Sequence, residues 1–345
     1  MVAVRRLLPF AAAAVLLAGC SSAASTENQL RLGYLGNLTH ATAIVGVAKG
    51  FFAKALGSTR LATQVFNAGP AEMTALLGGQ LDAAYVGPSS ALNGYVRSHG
   101  EALKIVAGAT MGGAELVVRS TVGSAADLRG KTLATPQLGN TQDVSLRYWL
   151  NQHGLKTTTD GGGDVAIRPQ DNATTLDQFR AGKIDGAWLP EPWASRLVVE
   201  AGAKVLADER DLWPDGRFAS TDLVVSTKFL HDHADTVRLL ISGELAADDW
   251  ISANATQAKD SVNTELRRLT GAALTDEEIT RAWSEQQVTA DPLASTVGVQ
   301  ADHAVTVGLM TATDLRGIVD VGLLNEELAA KGRPKVDDAG LGTTG

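Results

Sequence analysis

The chain has 345 residues, 45% of them apolar and 20% charged, with a formal net charge of −8 and a single cysteine. These proportions exclude a disordered chain and an internal disulfide framework, and a chain this long is expected to fold as two packed domains. Its few aromatic residues are not interleaved with Lys or Arg, so it lacks the electrostatic footprint of a nucleic-acid binder.

At the N-terminus, Arg5 and Arg6 precede an apolar run over residues 7–19. That run falls short of the ~20 residues a helix needs to span a bilayer and reads as a secretory signal. Ala18 and Gly19 stand immediately before the lone thiol, and the stretch "LLAGCSS" (16–22) resembles the bacterial lipobox. The resemblance implies a signal peptide over residues 1–19, a lipid on Cys20, and a polar tether over residues 20–29. Removing residues 1–19 takes away Arg5 and Arg6 and no acid, leaving 28 basic against 38 acidic residues, a net charge of −10. No second hydrophobic span follows.

Residues 30–35 read as a strand. Residues 41–56 read as one helix, with Ile44, Val47, Ala48, Phe51, Phe52 and Ala55 at helical spacing, and 61–66 as the next strand. The alternation continues with a helix at 72–77, a strand at 81–86, a helix at 89–99, and strands at 104–109 and 115–119. After a loop at 121–127, a second run gives strands at 131–135, 165–168 and 184–188 and helices at 141–153, 175–181 and 191–201. Gly130-Lys131-Thr132 ends like a phosphate-binding loop, but Ala125 stands where that motif needs glycine and the segment leads into a strand, so it reads as a turn. Beyond a strand at 223–226, helices dominate: 235–256, 258–269 and 276–286, the last opened by the capping pattern Thr275-x-x-Glu278. Pro334 and the polar end that follows read as frayed. The whole is an α/β chain.

In open α/β sheets, ligands sit outside the carboxyl ends of strands, where loops lead into helix N-termini. Four such loops carry polar or glycine chemistry: Asn37-Leu38-Thr39-His40, Gly69-Pro70-Ala71, Gly87-Pro88-Ser89-Ser90 and Gly139-Asn140-Thr141-Gln142. Unpaired N–H groups and the helix dipole there favour an anion without any lysine. Thr39, Ser89 and Thr141 also fit plain helix N-caps. Met111, Gly112 and Gly113 can serve as a flexible connection or expose backbone N–H groups. His40 has no second His or Cys at ligand spacing, and neither a metal nor a cofactor is expected. Nucleophile-elbow and zinc-protease motifs are absent.

Three blocks, "GYLGNLTHATAIVGVAKGFF" (33–52), "DLRGKTLATPQLGNT" (127–141) and "AWLPEPWASRLV" (187–198), resemble the substrate-binding lipoproteins of ABC importers for aliphatic sulfonates, taurine and nitrate. The resemblance implies a two-lobed α/β fold of the periplasmic-binding-protein type II kind, with a ligand cleft between the lobes and a helical C-terminal tail. The crossing strands would lie near 113–120 and 220–226, the first lobe at 30–114 and 223–345, and the second at 115–222. It implies a non-enzymatic receptor, held outside the cell membrane by Cys20, that closes on a small anionic or zwitterionic ligand and hands it to permease subunits; a monomer is expected. The candidate ligand residues are Asn37, Thr39, His40, Gly69, Pro70, Ser89, Ser90, Met111, Gly112, Gly139, Asn140 and Thr141, joined by Glu191 and Trp193. Trp193 would form a flat wall, and Glu191 would accept from an amine or latch the lobes, whereas Trp188 reads as packing. Two alternatives stay open: a carrier of a pyrimidine or thiamine precursor, and a secreted enzyme with His40 and Glu191 or Asp143 as acid and base.

Overall fold

The computed structural model describes residues 28–343. The signal peptide, Cys20 and most of the tether lie outside these residues. The described chain begins with β1 (Gln29–Leu35), α1 (Ala41–Ala48), α2 (Phe51–Leu56), β2 (Arg60–Phe66), α3 (Gly69–Leu77), β3 (Ala83–Val86), α4 (Pro88–Arg97) and β4 (Leu103–Gly112). The single helix expected at 41–56 is two. Gly50, at φ 74°, ends the first turn run, and the chain restarts so that Phe52 is fully buried against Gly46, where its ring fills the space of a missing Cβ.

Gly112 and Gly113 carry the chain into a second sheet, and both have positive φ, 74° and 76°. There follow β5 (Ala114–Val118), β6 (Thr132–Thr135), α5 (Thr141–Gln152), β7 (Ala166–Pro169), α6 (Asn172–Arg180), β8 (Gly186–Pro190), α7 (Trp193–Ala201) and β9 (Lys204–Asp208). Residues 209–218 lead back. The rest is β10 (Ala219–Ser226), α8 (Thr227–Asp232), α9 (Ala234–Ala253), α10 (Ala255–Thr270), α11 (Asp276–Ser284), β11 (Gln286–Val288), α12 (Ala294–Thr306) and α13 (Gly322–Ala330).

The strands form two sheets, ordered β11-β4-β10-β3-β1-β2 and β7-β6-β8-β5-β9. β1 runs parallel to β2 and β3, and β6 runs parallel to β7 and β8, while β10 and β5 run antiparallel to both of their neighbours. The result is a two-lobed α/β fold. The second lobe shows the period of two of a strand buried on both faces: Leu116 and Trp188 enter one core while Val117, Ala187 and Leu189 enter the other.

Three expectations change. Neither expected crossing strand bridges the sheets: β5 pairs only in the second and β10 only in the first, so residues 219–222 lie with the first sheet, Asp222 opposite Val86 and Gly108. β9 and β11 carry too little apolar alternation to be seen in sequence, and Gln286–Val288 is a strand only because β4 offers its edge. The C-terminal end is not frayed through the described residues. Val336 and Leu341 pack on the first-lobe core, and the Leu341 carbonyl accepts from the N–H groups of Gly317 (2.7 Å) and Val319 (3.2 Å). The turn at Gly130 (φ 75°) and the capping box at Thr275 and Glu278 are as expected.

The cleft between the lobes

The carboxyl ends of β1, β2, β3, β6 and β8 converge on an interlobe cavity of about 20 Å³. Leu35, Asn37, Thr39 and His40 reach it from the end of β1, Asn67, Ala68 and Gly69 from the end of β2, and Gly87 and Ser90 from the end of β3. Pro136, Asn140, Thr141, Gln142 and Pro190 come from the second lobe, and Ser220 from β10. The starts of α3, α4 and α5 and the helical turn Leu38–His40 all meet there; the Ser89 and Ser90 N–H groups of α4 are taken by Thr141 Oγ1 and the Gly87 carbonyl, so the unpaired N–H groups come from the first turns of α3 and α5. No lining residue is Lys, Arg, Asp or Glu.

His40 is the most informative of them. It is buried, and loss of hydration lowers its pKa to about 3, so it is neutral. Its Nδ1 accepts from the Leu35 N–H (3.3 Å), which leaves the proton on Nε2 as a donor. Asn140 is the N-cap of α5: its Oδ1 accepts from the Asp143 N–H (2.9 Å) and its Nδ2 donates to Gln142 Oε1 (2.9 Å). That orients the Gln142 amide with its N–H₂ end free. The Ser90 hydroxyl is buried with no partner of its own. Every polar side chain here is thus neutral, and several carry a spare donor.

The lobes are closed. Thr141 Oγ1 accepts from the Ser89 N–H (3.4 Å), Asn93 Nδ2 donates to the Gly139 carbonyl (3.3 Å), and a Cβ added at Gly87 would stand 2.4 Å from Thr141 Oγ1. A single buried water needs roughly 10–15 Å³ of such space, so this conformation holds little more than one water-sized body.

Of the expected residues, Asn37, Thr39, His40, Gly69, Ser90, Asn140 and Thr141 line the cavity. Thr39, Ser89 and Thr141 make no capping bond, since the cap positions belong to His40, Gly87 and Asn140. The remaining candidates stand outside the wall. Pro70 is in the first turn of α3, and the Gly139 N–H donates to Asp143 Oδ2 (3.0 Å). Ser89 has a buried, unpartnered hydroxyl beside the cavity. Met111 is held in the ladder opposite Gln287, and the amides of Gly112 and Gly113 donate to the Phe218 (3.3 Å) and Glu285 (2.7 Å) carbonyls, so neither is free for a ligand. Asn67, Pro136, Pro190 and Ser220 were not anticipated.

Glu191 and Trp193 hold the lobes together. Trp193 Nε1 donates to Asn37 Oδ1 (3.0 Å), and the Leu38 N–H donates to the Glu191 carbonyl (3.0 Å). The Glu191 carboxyl accepts from Arg281 Nη1 (3.0 Å) and from the Ser195 N–H (3.1 Å). Arg281, which no sequence pattern marked, projects from α11, whose Ile279 and Ala282 are anchored in the first-lobe core, and it also pairs with Glu115 of β5 (2.7 Å). One guanidinium thus serves two carboxyls. Burial, then the charge of Glu115, push Glu191 up to about 8, so it keeps its proton at neutral pH. Glu115, Asp208 and Glu285 also cluster at the crossing, within 4.8 Å of one another, but Arg281 and Arg210 pair with all three, so the cluster is compensated without a metal.

A family model described as NMT1-like matches residues 23–264. A Brucella abortus protein named as a binding protein is 29% identical over 286 residues, covering 79% of this chain and 85% of that protein. The alkanesulfonate-binding protein of Xanthomonas axonopodis, solved with MOPS bound, superimposes with a TM-score of 0.69 at 21% identity, over 83% of this chain and 95% of that one. The nitrate-binding protein of Synechocystis gives a TM-score of 0.73 at 16% identity, over 90% and 91%.

Proposed function

The chain belongs to the NMT1-like family, and from that premise we propose that it is the extracytoplasmic solute-binding component of an ABC importer, capturing a small oxyanion-bearing nutrient. The observation that carries this reading is the cleft wall: converging helix N-termini, a neutral His40 donating from Nε2, and spare donors on Ser90 and Gln142, with no acidic group to repel an anion. The names of the similar proteins, which bind alkanesulfonate and nitrate, support the same class of ligand. Taurine belongs to that class as well.

In this reading the moving bodies are residues 28–112 with 219–343 and residues 114–208, turning about Gly112, Gly113 and the return segment. In this conformation Thr141 meets Ser89 and Trp193 meets Asn37 around a space for about one water, so the lobes would close less far on a bound oxyanion, and that liganded face is what a permease would recognise. Binding requires no covalent step. Cys20 would carry the lipid that keeps the receptor at the outer face of the membrane; mass spectrometry of the mature chain tests this, with an unmodified thiol or an uncleaved leader as the contrary result.

Thermal unfolding against nitrate, bicarbonate, taurine, short alkanesulfonates and uracil tests the ligand class. A ligand at 100 times its Kd adds about 2.7 kcal/mol to the native state, enough to raise the midpoint visibly. A rise with one oxyanion class and none with uracil is expected. A rise with uracil alone, or with no oxyanion, would sink the reading.

A further inference from the structure

A second space, of about 560 Å³, opens on the seam between the lobes and shares no residue with the cleft cavity. Its walls include Tyr148 and Trp149 of α5, Glu209 and Trp213 of the return segment, and Val299 and His303 of α12. That volume lies within the ~300–1,000 Å³ of small-molecule sites. The Tyr148 and His303 rings stack at 3.5 Å between centroids, and Trp213 lies 5.6 Å from His303. Aromatic residues make up only 5% of the chain, so their gathering here is not set by abundance. Val299 is 42% exposed, leaving an apolar wall open to solvent.

Glu209 gives the cavity its sign. The residue is 1% exposed, and its two carboxylate oxygens accept from Ser145 Oγ (2.8 Å) and Trp188 Nε1 (2.7 Å), both neutral donors. Among the described residues no Lys or Arg forms an ion pair with it: its neighbour Arg210 is engaged by Asp208 and Glu285. Burial pushes this carboxyl up to about 7, so it ionises only towards and above that pH, and the ionised form has no counter-ion inside the ring of π-faces. Aromatic faces attract cations, and apolar walls disfavour a strongly hydrated inorganic ion.

We propose that this seam cavity is a second ligand site, taking a small organic ammonium cation whose apolar body lies against Tyr148, Trp149 and Trp213 and whose charge faces Glu209. Because α5 belongs to the second lobe while α12 packs on the first, the occupant touches both lobes.

The test is a calorimetric titration of the full chain at pH 8.5, where Glu209 is ionised, with phenyltrimethylammonium and with tert-butylbenzene, its neutral isostere. The cation should saturate the protein and bind roughly tenfold or more tightly than the hydrocarbon. Glu209→Gln should abolish that preference. Val299→Phe, a change at an exposed position that fills the space, should weaken both ligands in a protein of unchanged circular dichroism, and it decides the matter if Glu209→Gln does not fold. Equal affinity for the two compounds, absence of saturation by the cation, or undiminished binding in folded Val299→Phe would overturn the proposal.

Discussion

The cleft cavity and the seam cavity both lie where the lobes meet, yet they solve opposite problems. The first is about 20 Å³ and walled by neutral polar groups; the second is about 560 Å³ and walled by aromatic rings around one carboxyl. In the cleft, helix ends and a neutral imidazole supply partial positive charge, so the lobes can close without burying an unpaired Lys or Arg. Full charges are stationed at the edge instead. Arg281 draws together Glu115 and the protonated Glu191, to which it donates a hydrogen bond, and Arg210 pairs with Asp208 and Glu285 across the crossing. In the proposed receptor the two tasks are separate: neutral donors would meet the ligand, while the arginine-centred contacts hold the closed form.

The largest effect that would break this separation is at the edge. Arg281→Ala leaves Glu115 buried without its cation and takes a hydrogen-bond donor from the protonated Glu191; because Arg281 itself is 21% exposed, the expected cost stands at the low end for a broken buried pair, about 3 kcal/mol in urea unfolding. A loss under about 1 kcal/mol would show that the pair is a surface ornament. Next comes the cleft. His40→Ala removes a donor to a charged acceptor, worth about 1.5–3 kcal/mol, so oxyanion affinity should fall about 10- to 100-fold, as read by calorimetric titration. Unchanged affinity would remove His40 from the ligand.

Gly87→Ala sharpens the comparison by narrowing the cleft wall where the two lobes meet, without removing a donor. The backbone at Gly87 (φ −67°, ψ 141°) accepts alanine, but the new Cβ would meet Thr141 Oγ1 across the cleft. The expected outcome is about a tenfold loss of oxyanion affinity with little change in unfolding midpoint. Adding Thr141→Ala should recover part of it, since the Thr141 Cβ stands 3.4 Å away.

The smallest effect is spread over the buried acids. Burial lifts Glu191 to about 8 and Asp248 and Glu209 to about 7, and raises Glu72, Asp222 and Glu244 as well. Carboxyls raised in the folded state bind protons that the unfolded chain has released, so stability falls as pH rises from the ordinary carboxyl range through about 8. His40, lowered to about 3 from 6.5, works the other way between those values, which leaves the window from 6.5 to 8 to the carboxyls alone. The thermal midpoint should therefore drop by a few degrees between pH 6.5 and 8, at roughly 2–4 °C per kcal/mol for domains of this size. A flat or rising midpoint would contradict it.

The strand and helix alternation and the loops that open helices were legible because their signals are local. Gly69, Gly87 and Gly139 with their polar neighbours mark turns into helices, and those turns stand at strand ends by the logic of the fold. What was not legible depends on register. Ser220 reaches the cleft because β10 pairs between β3 and β4, and Pro190 because β8 sits between β5 and β6; nothing beside them in sequence says so. Two glycines after Met111 suggest a free backbone, yet Met111 stands in the edge ladder opposite Gln287 of β11 and the Gly112 N–H donates to the Phe218 carbonyl. Arg281 was invisible for the same reason, since its partners lie 90 and 166 residues away.

The most direct test of the neutral-donor cleft is nitrogen NMR of the His40 imidazole, with and without the oxyanion that most raises the unfolding midpoint. The ring should be neutral and protonated on Nε2 across pH 6 to 8, with that N–H resonance shifting when the ligand is added. An imidazole that titrates near 6.5, or a resonance that the ligand leaves unmoved, would contradict it.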